Sequence, residues 1–472
     1  MIADLVISGA VLVTDRTSFA ASIAIKDGMI LAIGAAESMP FAREVLEATG
    51  KYVLPGAIDA HVHFREPGYT HKETWETGTA AAAMGGVTCV FEMPNTKPPT
   101  GTVEALNIKL EAAKSAYVDY GIYGLLAENN LDQLEALIDG GVAAFKCFMG
   151  NTFANLPSPP TGAMLEGFEI IAKHGYRIAL HAETASIMAR REIKLKEAGR
   201  HDPLAHLAAR PPVVAVEAVS RAAILAEWTG ARIHILHVSS GDELRPLRDA
   251  KARGVDITAE TCPHYLLLDE NAYRDKGSLI RVNPPVRERR HQEQLWAAVA
   301  DRTIDMIATD HAPHSAEEKN KENIWQADCG FCGVETQMPL MLSQVVAGRL
   351  SLNDYVRMTS LAPALAFGLY PRKGAIQPGA DADLVVIDLD RSGTVRPSTL
   401  KSKSPSTPFE GQETRGMPIH TLVRGQFVMR DRILVTAARG HGLSVRRIQS
   451  MPTPSPKNLE HTTAAIIASL IK

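Results

Sequence analysis

The chain has 472 residues, 45% hydrophobic and 22% charged, and a formal net charge of -3 from 50 Lys+Arg against 53 Asp+Glu. That length is too great for one small domain, and the near-neutral balance excludes a nucleic-acid or membrane-surface footprint. No apolar run approaches a membrane span, and Met1-Ile2-Ala3-Asp4 lacks the basic-then-apolar layout of a signal peptide. Five cysteines in so long a chain argue against a disulfide framework, so a cytoplasmic setting is expected.

Residues 1–52 read as short strands at Asp4–Ser8, Ala10–Thr14, Ala21–Lys26 and Met29–Ile33, with Asp27-Gly28 as a hairpin turn between the last two. So short a β segment buries little core alone. Its partner lies at the far end, where Gly374–Leu389 and His420–Val435 are again strand-like, with turn signals at Pro378-Gly379 and Arg424-Gly425. The two ends, 1–52 and 374–450, are expected to form one small composite β-sandwich.

Between them, over 53–373, apolar runs rich in β-branched residues occur at Val53–Phe64, Val87–Met93, Val118–Leu126, Val142–Phe148, Arg177–His181, Arg232–Val238, Val255–Glu260 and Asp305–Asp310. Helical patterns separate them. In Thr102–Ala116, Val103, Leu106, Leu110 and Ala113 recur at helical spacing behind a Thr102 N-cap; Asp242–Arg253 repeats Leu244, Leu247 and Ala250 and stops at Gly254. Eight such alternations, with no Gly-rich dinucleotide fingerprint after the early strands, predict an α/β fold with a TIM-like (β/α)8 barrel. Beyond Ser450, Met-Pro-Thr-Pro-Ser-Pro begins a stiff linker, and 451–472 is expected to be a linker and tail.

Catalytic groups of such barrels sit at the C-terminal ends of the strands. The first strand ends in His61 and His63, whose two-residue spacing puts both imidazoles on one face of an extended chain. Such a pair, with an Asp nearby, can begin a divalent metal site; alone, it is more often a pair of histidines satisfied by hydrogen bonds. The fourth strand carries Lys146, the fifth ends at His181, the sixth at His237 and the eighth at Asp310. Each has a bland reading singly, an ion pair for Lys146 or a helix cap for Asp310. Six metal-capable or modifiable groups at strand ends carry far more weight together.

Four motifs make the resemblance specific: His61-Val62-His63-Phe64-Arg65-Glu66-Pro67-Gly68, Met93-Pro94-Asn95-Thr96, Asn283-Pro284-Pro285-Val286-Arg287 and Asp310-His311-Ala312-Pro313-His314. The chain resembles the amidohydrolase superfamily in its cyclic-amide branch of dihydroorotases, allantoinases and hydantoinases, and these motifs most resemble dihydroorotase. The resemblance implies two Zn²⁺, one held by His61, His63 and Asp310 and the other by His181 and His237, bridged by a carboxylated Lys146 and a hydroxide. It gives Asp310 the proton transfers and assigns Arg65, Asn95, Asn283 and His314 to the substrate, with Arg65, Asn95 and His314 gripping a ring carboxylate. Asn151-Thr152-Phe153 resembles the dihydroorotase loop in which Thr152 and Phe153 would close over the substrate.

The expected activity is therefore zinc-dependent, reversible cyclisation of N-carbamoyl-L-aspartate to L-dihydroorotate in pyrimidine synthesis. The alternative is an allantoinase or hydantoinase, and a third reading is a metal-free scaffold homologue. The partner implied is a small cyclic amide or ureido substrate, in a homodimer or homotetramer. One segment departs from the pattern: Asp328-Cys329-Gly330-Phe331-Cys332-Gly333-Val334-Glu335 replaces the usual Pro-Phe-Gly and Gly-Leu-Glu. Cys329 and Cys332, a lone C-x-x-C, read as loop packing.

Overall fold

The computed structural model describes residues 2–150 and 156–445. Thr152, Phe153 and the 451–472 tail lie outside the described residues.

Five strands come from the N-terminal part: β1 (Ala3–Val13), β2 (Ser18–Lys26), β3 (Met29–Gly34), β4 (Ala42–Glu47) and β5 (Tyr52–Pro55). Eight parallel strands follow: β6 (Ala57–Val62), β7 (Val87–Glu92), β8 (Asp119–Leu126), β9 (Ala144–Phe148), β10 (Arg177–His181), β11 (Arg232–Ile235), β12 (Ile257–Thr261) and β13 (Met306–Ile307). The C-terminal part adds β14 (Leu384–Thr394), β15 (Glu413–Val423), β16 (Gln426–Arg430) and β17 (Ile433–Leu434).

The two ends build one sheet in the order β17-β16-β15-β14-β5-β1-β2-β3, with β4 also on β1. Ile7, Ile23 and Ile25 from one arm share a core with Leu384, Val386 and Leu422 from the other. The Asp27-Gly28 turn has φ +50° and +79° and joins β2 to β3 with Lys26 opposite Met29, the geometry of a two-residue hairpin. The two strands expected at Asp4–Ser8 and Ala10–Thr14 are one strand. A bulge interrupts it, since Ser8 and Gly9 face only Ser22, and Gly9 takes φ +73°. Strand β4 was missed because it lies at an edge, with Arg43, Val45 and Glu47 exposed, and carries little apolar signal.

All eight expected barrel strands are present, in the order of the chain. Their outward residues, among them Val90, Ile122, Phe145, Ile178 and Ile233, pack beneath the surrounding helices. Phe91, Tyr123 and Phe367 stack inside, with ring centroids 4.8–6.1 Å apart, and fill part of the interior. The ring closes through His63 N–H donating to His311 O at 2.7 Å and a parallel bridge between Val62 and His311. The last strand is only two residues long; Thr309 and Asp310 leave it to turn over the barrel mouth.

The expected single strand Val53–Phe64 is two, and they belong to different sheets: β5 pairs with β1 and β14, β6 with β7. Gly56 is the joint. A Cβ there would meet Thr88 Oγ1 at 2.2 Å, so only glycine lets the chain pass this close to β7. Gly56→Ala is expected to cost about 1–3 kcal/mol of stability by overpacking, read as a lowered urea midpoint. The two sheets are also locked by Lys373. Its Nζ donates to Asp119 (2.7 Å) at the foot of β8 and to Asp381 (3.0 Å) and Asp383 (2.5 Å) just before β14. Arg424 adds a second cation to Asp119, so the buried carboxylates are offset by buried cations.

Candidate active site

At the C-terminal mouth of the barrel, β6 presents His61 and His63 toward Asp310. Both Nε2 atoms lie 3.2 Å from Asp310 Oδ1. Asp59 holds this arrangement. Its carboxylate accepts from His61 N–H (3.2 Å), Thr309 N–H (3.1 Å) and Thr309 Oγ1 (2.5 Å), pinning β6 to the segment after β13. Asp310 itself takes φ +48°, a backbone state that L residues rarely adopt, and the clamp on its neighbour holds it there.

The tautomers follow from the partners. Glu260 accepts His61 Nδ1–H at 2.6 Å, and Asn95 Oδ1 accepts His63 Nδ1–H at 2.8 Å. Each ring therefore points an Nε2 lone pair at the mouth. Burial holds both rings, and His237, well below the usual imidazole range, so they stay neutral, which is the ligand form.

On the opposite wall, His181 Nε2–H donates to Glu183 at 2.9 Å, and its Nδ1 faces His237 Nε2 at 2.9 Å. His237 Nδ1 is buried with no hydrogen-bond partner among the described residues. An imidazole so placed is poorly satisfied by protein alone, and a cation that accepts lone pairs fits it. Lys146 reaches the same space from β9. It is 1% exposed, lies 4.6 Å over the Phe148 ring and has no carboxylate within 4 Å among the described residues, so the ion pair offered as its bland reading is not there. Burial lowers its pKa to about 7, against the pull of Asp310 and Glu260. The donor set, neutral imidazoles with a carboxylate and an unpaired amine, suits divalent cations.

These groups share one cavity of about 390 Å³, counting its open mouth, lined by His61, His63, Lys146, His181, His237 and Asp310. Arg65, Asn95, Asn283 and Cys329 are also part of its wall. Arg65 is 2% exposed, donates from Nε to Pro313 O (3.3 Å) and has Nη2 3.0 Å from His314 Nε2. Burial lowers its pKa to about 10, still fully charged near neutrality. His314 is not among the lining residues. It stands behind Arg65, with Nδ1 3.0 Å from Asp328 and 2.9 Å from Lys72 Nζ. Asn283 aims a buried Oδ1 with no hydrogen-bond partner among the described residues.

Two carboxylates escaped the sequence reading. Glu260, on β12, accepts from His61 and also from His234 Nε2–H at 2.9 Å. Glu183, two residues past His181, pairs with both His181 and Arg210. The His181-Ala182-Glu183 spacing was a signal of sorts; Glu260 had none, because its histidines come from other strands.

The fold and this mouth define a hydrolase of the β/α-barrel class, built around groups of the kind that suit divalent cations. The chain belongs to the amidohydrolase family, whose model matches residues 52–428, and within it to the cyclic-amidohydrolase branch. It is 34% identical over 450 residues to an L-hydantoinase of Paenarthrobacter aurescens, covering 94% of this chain and 98% of that protein. It is 36% identical over 452 residues to an allantoinase of Rubrobacter xylanophilus, again covering 94% and 98%. The structure of an L-hydantoinase (dihydropyrimidinase) from Arthrobacter aurescens superposes with a TM-score of 0.92 at 34% identity, over 94% of this chain and 100% of that one. A D-hydantoinase from Thermus sp. gives 0.87 at 33%, over 94% and 99%.

These relatives correct the expected activity. The relatives alike along almost the whole chain are named hydantoinases and allantoinases, so the dihydroorotase reading and its assignment to pyrimidine synthesis give way to the alternative. The structure supplies a reason. The segment 328–335, which departs from the dihydroorotase pattern, reaches the cavity through Cys329, and His314 contacts Arg65 from behind rather than facing the cavity. No helix among the described residues is long and apolar enough to cross a membrane.

Proposed function

We propose that the protein hydrolyses the ring amide of a hydantoin-type cyclic ureide, with allantoin, a hydantoin bearing a ureido tail, as its preferred class of substrate. The observation that carries this reading is the single cavity in which six ligand-type side chains meet Arg65 and Asn283. A ureido tail offers a carbonyl that accepts from the Arg65 guanidinium and an NH₂ that donates to the orphaned Asn283 Oδ1.

His61, His63 and Asp310 would hold one Zn²⁺ and His181 and His237 the other, with the carbamate of Lys146 between them. Bound there, two such cations supply an acidified water and a polarised ring carbonyl. The chain's own groups do the rest. Asp310 takes the proton of the attacking water as its oxygen bonds to the carbonyl carbon. It then delivers that proton to the ring nitrogen as the C–N bond breaks, and the water's other proton leaves to solvent, giving an open-chain ureido product with a carboxylate. Asn95 keeps His63 in its ligand tautomer, and Arg65 and Asn283 hold the substituent so that the ring carbonyl faces Asp310.

Steady-state assays with allantoin and with 5-alkyl hydantoins test the reading. Allantoin should be opened with the highest kcat/KM; faster opening of dihydroorotate than of any hydantoin, or none at all, would overturn it. Arg65→Met should lower kcat/KM for allantoin by about 10–100-fold through KM, the loss of one or two hydrogen bonds to a charged donor. Metal content, read by elemental analysis, should stay at the wild-type value.

A further inference from the structure

We propose that Glu260, held by His234, is the positioning residue that sets the affinity of this site for divalent cations; the inference rests on the metal reading above. Glu260 is wholly buried inside the barrel, behind the residues that line the cavity rather than among them, and receives three N–H donors. His61 Nδ1–H reaches Oε1 at 2.6 Å, His237 N–H reaches Oε1 at 3.2 Å, and His234 Nε2–H reaches Oε2 at 2.9 Å.

Two of these donors belong to opposite halves of the mouth. His61 stands with His63 and Asp310, and His237 stands with His181. One carboxylate thus fixes a ring in the first set and the backbone of a residue in the second. His237 has φ +39°, a conformation uncommon for a residue with a side chain, and the bond from its N–H to Glu260 is one restraint that holds it. The effect on His61 is chemical as well as steric. A carboxylate that accepts at Nδ1 leaves the lone pair on Nε2 and makes that nitrogen a stronger donor toward a cation.

His234 explains why Glu260 keeps its aim. Its Nε2–H donates to the Glu260 carboxylate at 2.9 Å, which leaves Nδ1 to accept from Thr258 Oγ1–H at 2.8 Å. Phe367 packs edge-on against the ring at 5.7 Å and blocks its rotation. The run Thr258–His234–Glu260–His61 is therefore a single polar column from the barrel interior to the mouth. Its charge also counts. Two dications against a carbamate, Asp310 and a hydroxide would leave the mouth positive by one, a charge that a carboxylate beneath it would offset.

The test is zinc binding by apoprotein prepared with a chelator, titrated against a chromophoric competitor and needing no substrate. Glu260→Gln, which keeps shape and loses charge, should weaken binding by about 10–100-fold. His234→Leu should weaken it by about 10-fold, while His234→Gln, whose amide both donates to Glu260 and accepts from Thr258, should stay near wild type. Excess zinc should restore turnover in each with KM unchanged. Thermal melting of the apoproteins separates a purely structural role. Lowered melting with wild-type affinity in both Glu260→Gln and His234→Leu overturns the proposal, and if Glu260→Gln does not fold, the His234 pair decides. Wild-type protein that binds no zinc would instead sink the metal reading itself.

Discussion

Lys146→Ala is expected to strip the protein of at least one of its cations and to lower kcat/KM by about 10³-fold or more, roughly 4 kcal/mol of transition-state stabilisation. The argument starts from where the amine lies. It lines the same cavity as four imidazoles and Asp310, with no carboxylate within salt-bridge distance among the described residues. A charged ammonium is out of place there, and burial brings its pKa to about 7, so near neutrality a large fraction is the free amine. A free amine adds to CO₂: the N–C bond forms, one amine proton leaves to solvent, and a neutral side chain becomes an anionic one. That anion is what two cations need between them. The alanine variant leaves a void of side-chain size in the same place, so acetate or propionate added in excess should recover part of the activity. Native mass spectrometry of the wild type should show the added mass of one CO₂, lost on acidification. Full metal content and near-normal turnover in Lys146→Ala would remove the lysine from the site.

Much of this molecule was legible because its periodic signals are strong. Runs such as Val87–Met93 and Arg232–Val238 are buried on both faces and read as continuous apolar stretches, so all eight barrel strands could be found without coordinates. The mouth was legible for a related reason. His61, His63, His181, His237 and Asp310 stand at or just past strand ends, where side chains aimed along the barrel axis meet.

What was not legible depends on contacts between distant segments. Gly56 gives no sign in the sequence that it hands the chain from one sheet to another; the reason is Thr88, in the next strand. Glu260 looked like any residue of a buried strand, since the histidines it orients come from β6 and β11. The substrate is not legible from a few short motifs. Arg65 in His-Phe-Arg-Glu-Pro-Gly suggested a grip on a carboxylate. In the structure its guanidinium meets the neutral groups Pro313 O and His314, so its presence alone does not define an anion pocket. Likeness spread over 94% of the chain weighs more than any one of those motifs.

Asp310→Asn should lower kcat by about 10²–10⁴-fold, the range of a lost general acid–base group, with a smaller change in KM. The asparagine fits the same space and keeps an oxygen near His61 and His63, so the barrel mouth should survive. What disappears is a proton carrier that serves twice, first as base toward water and then as acid toward the ring nitrogen. The pH profile separates this from a loss of metal. Burial raises the Asp310 carboxyl, while His264, Lys146, His181 and Arg65 oppose that rise. A base works only when ionised, so wild-type kcat should fall as pH drops through the pKa of this group, and bound cations move that limb to lower pH. In Asp310→Asn the acidic limb should vanish and the residual rate should be flat over the same range. Zinc saturation must be held constant, because the variant also loses one anionic donor. A variant that kept the acidic limb, with kcat within tenfold of wild type at full metal occupancy, would assign the proton transfers to another group at the mouth.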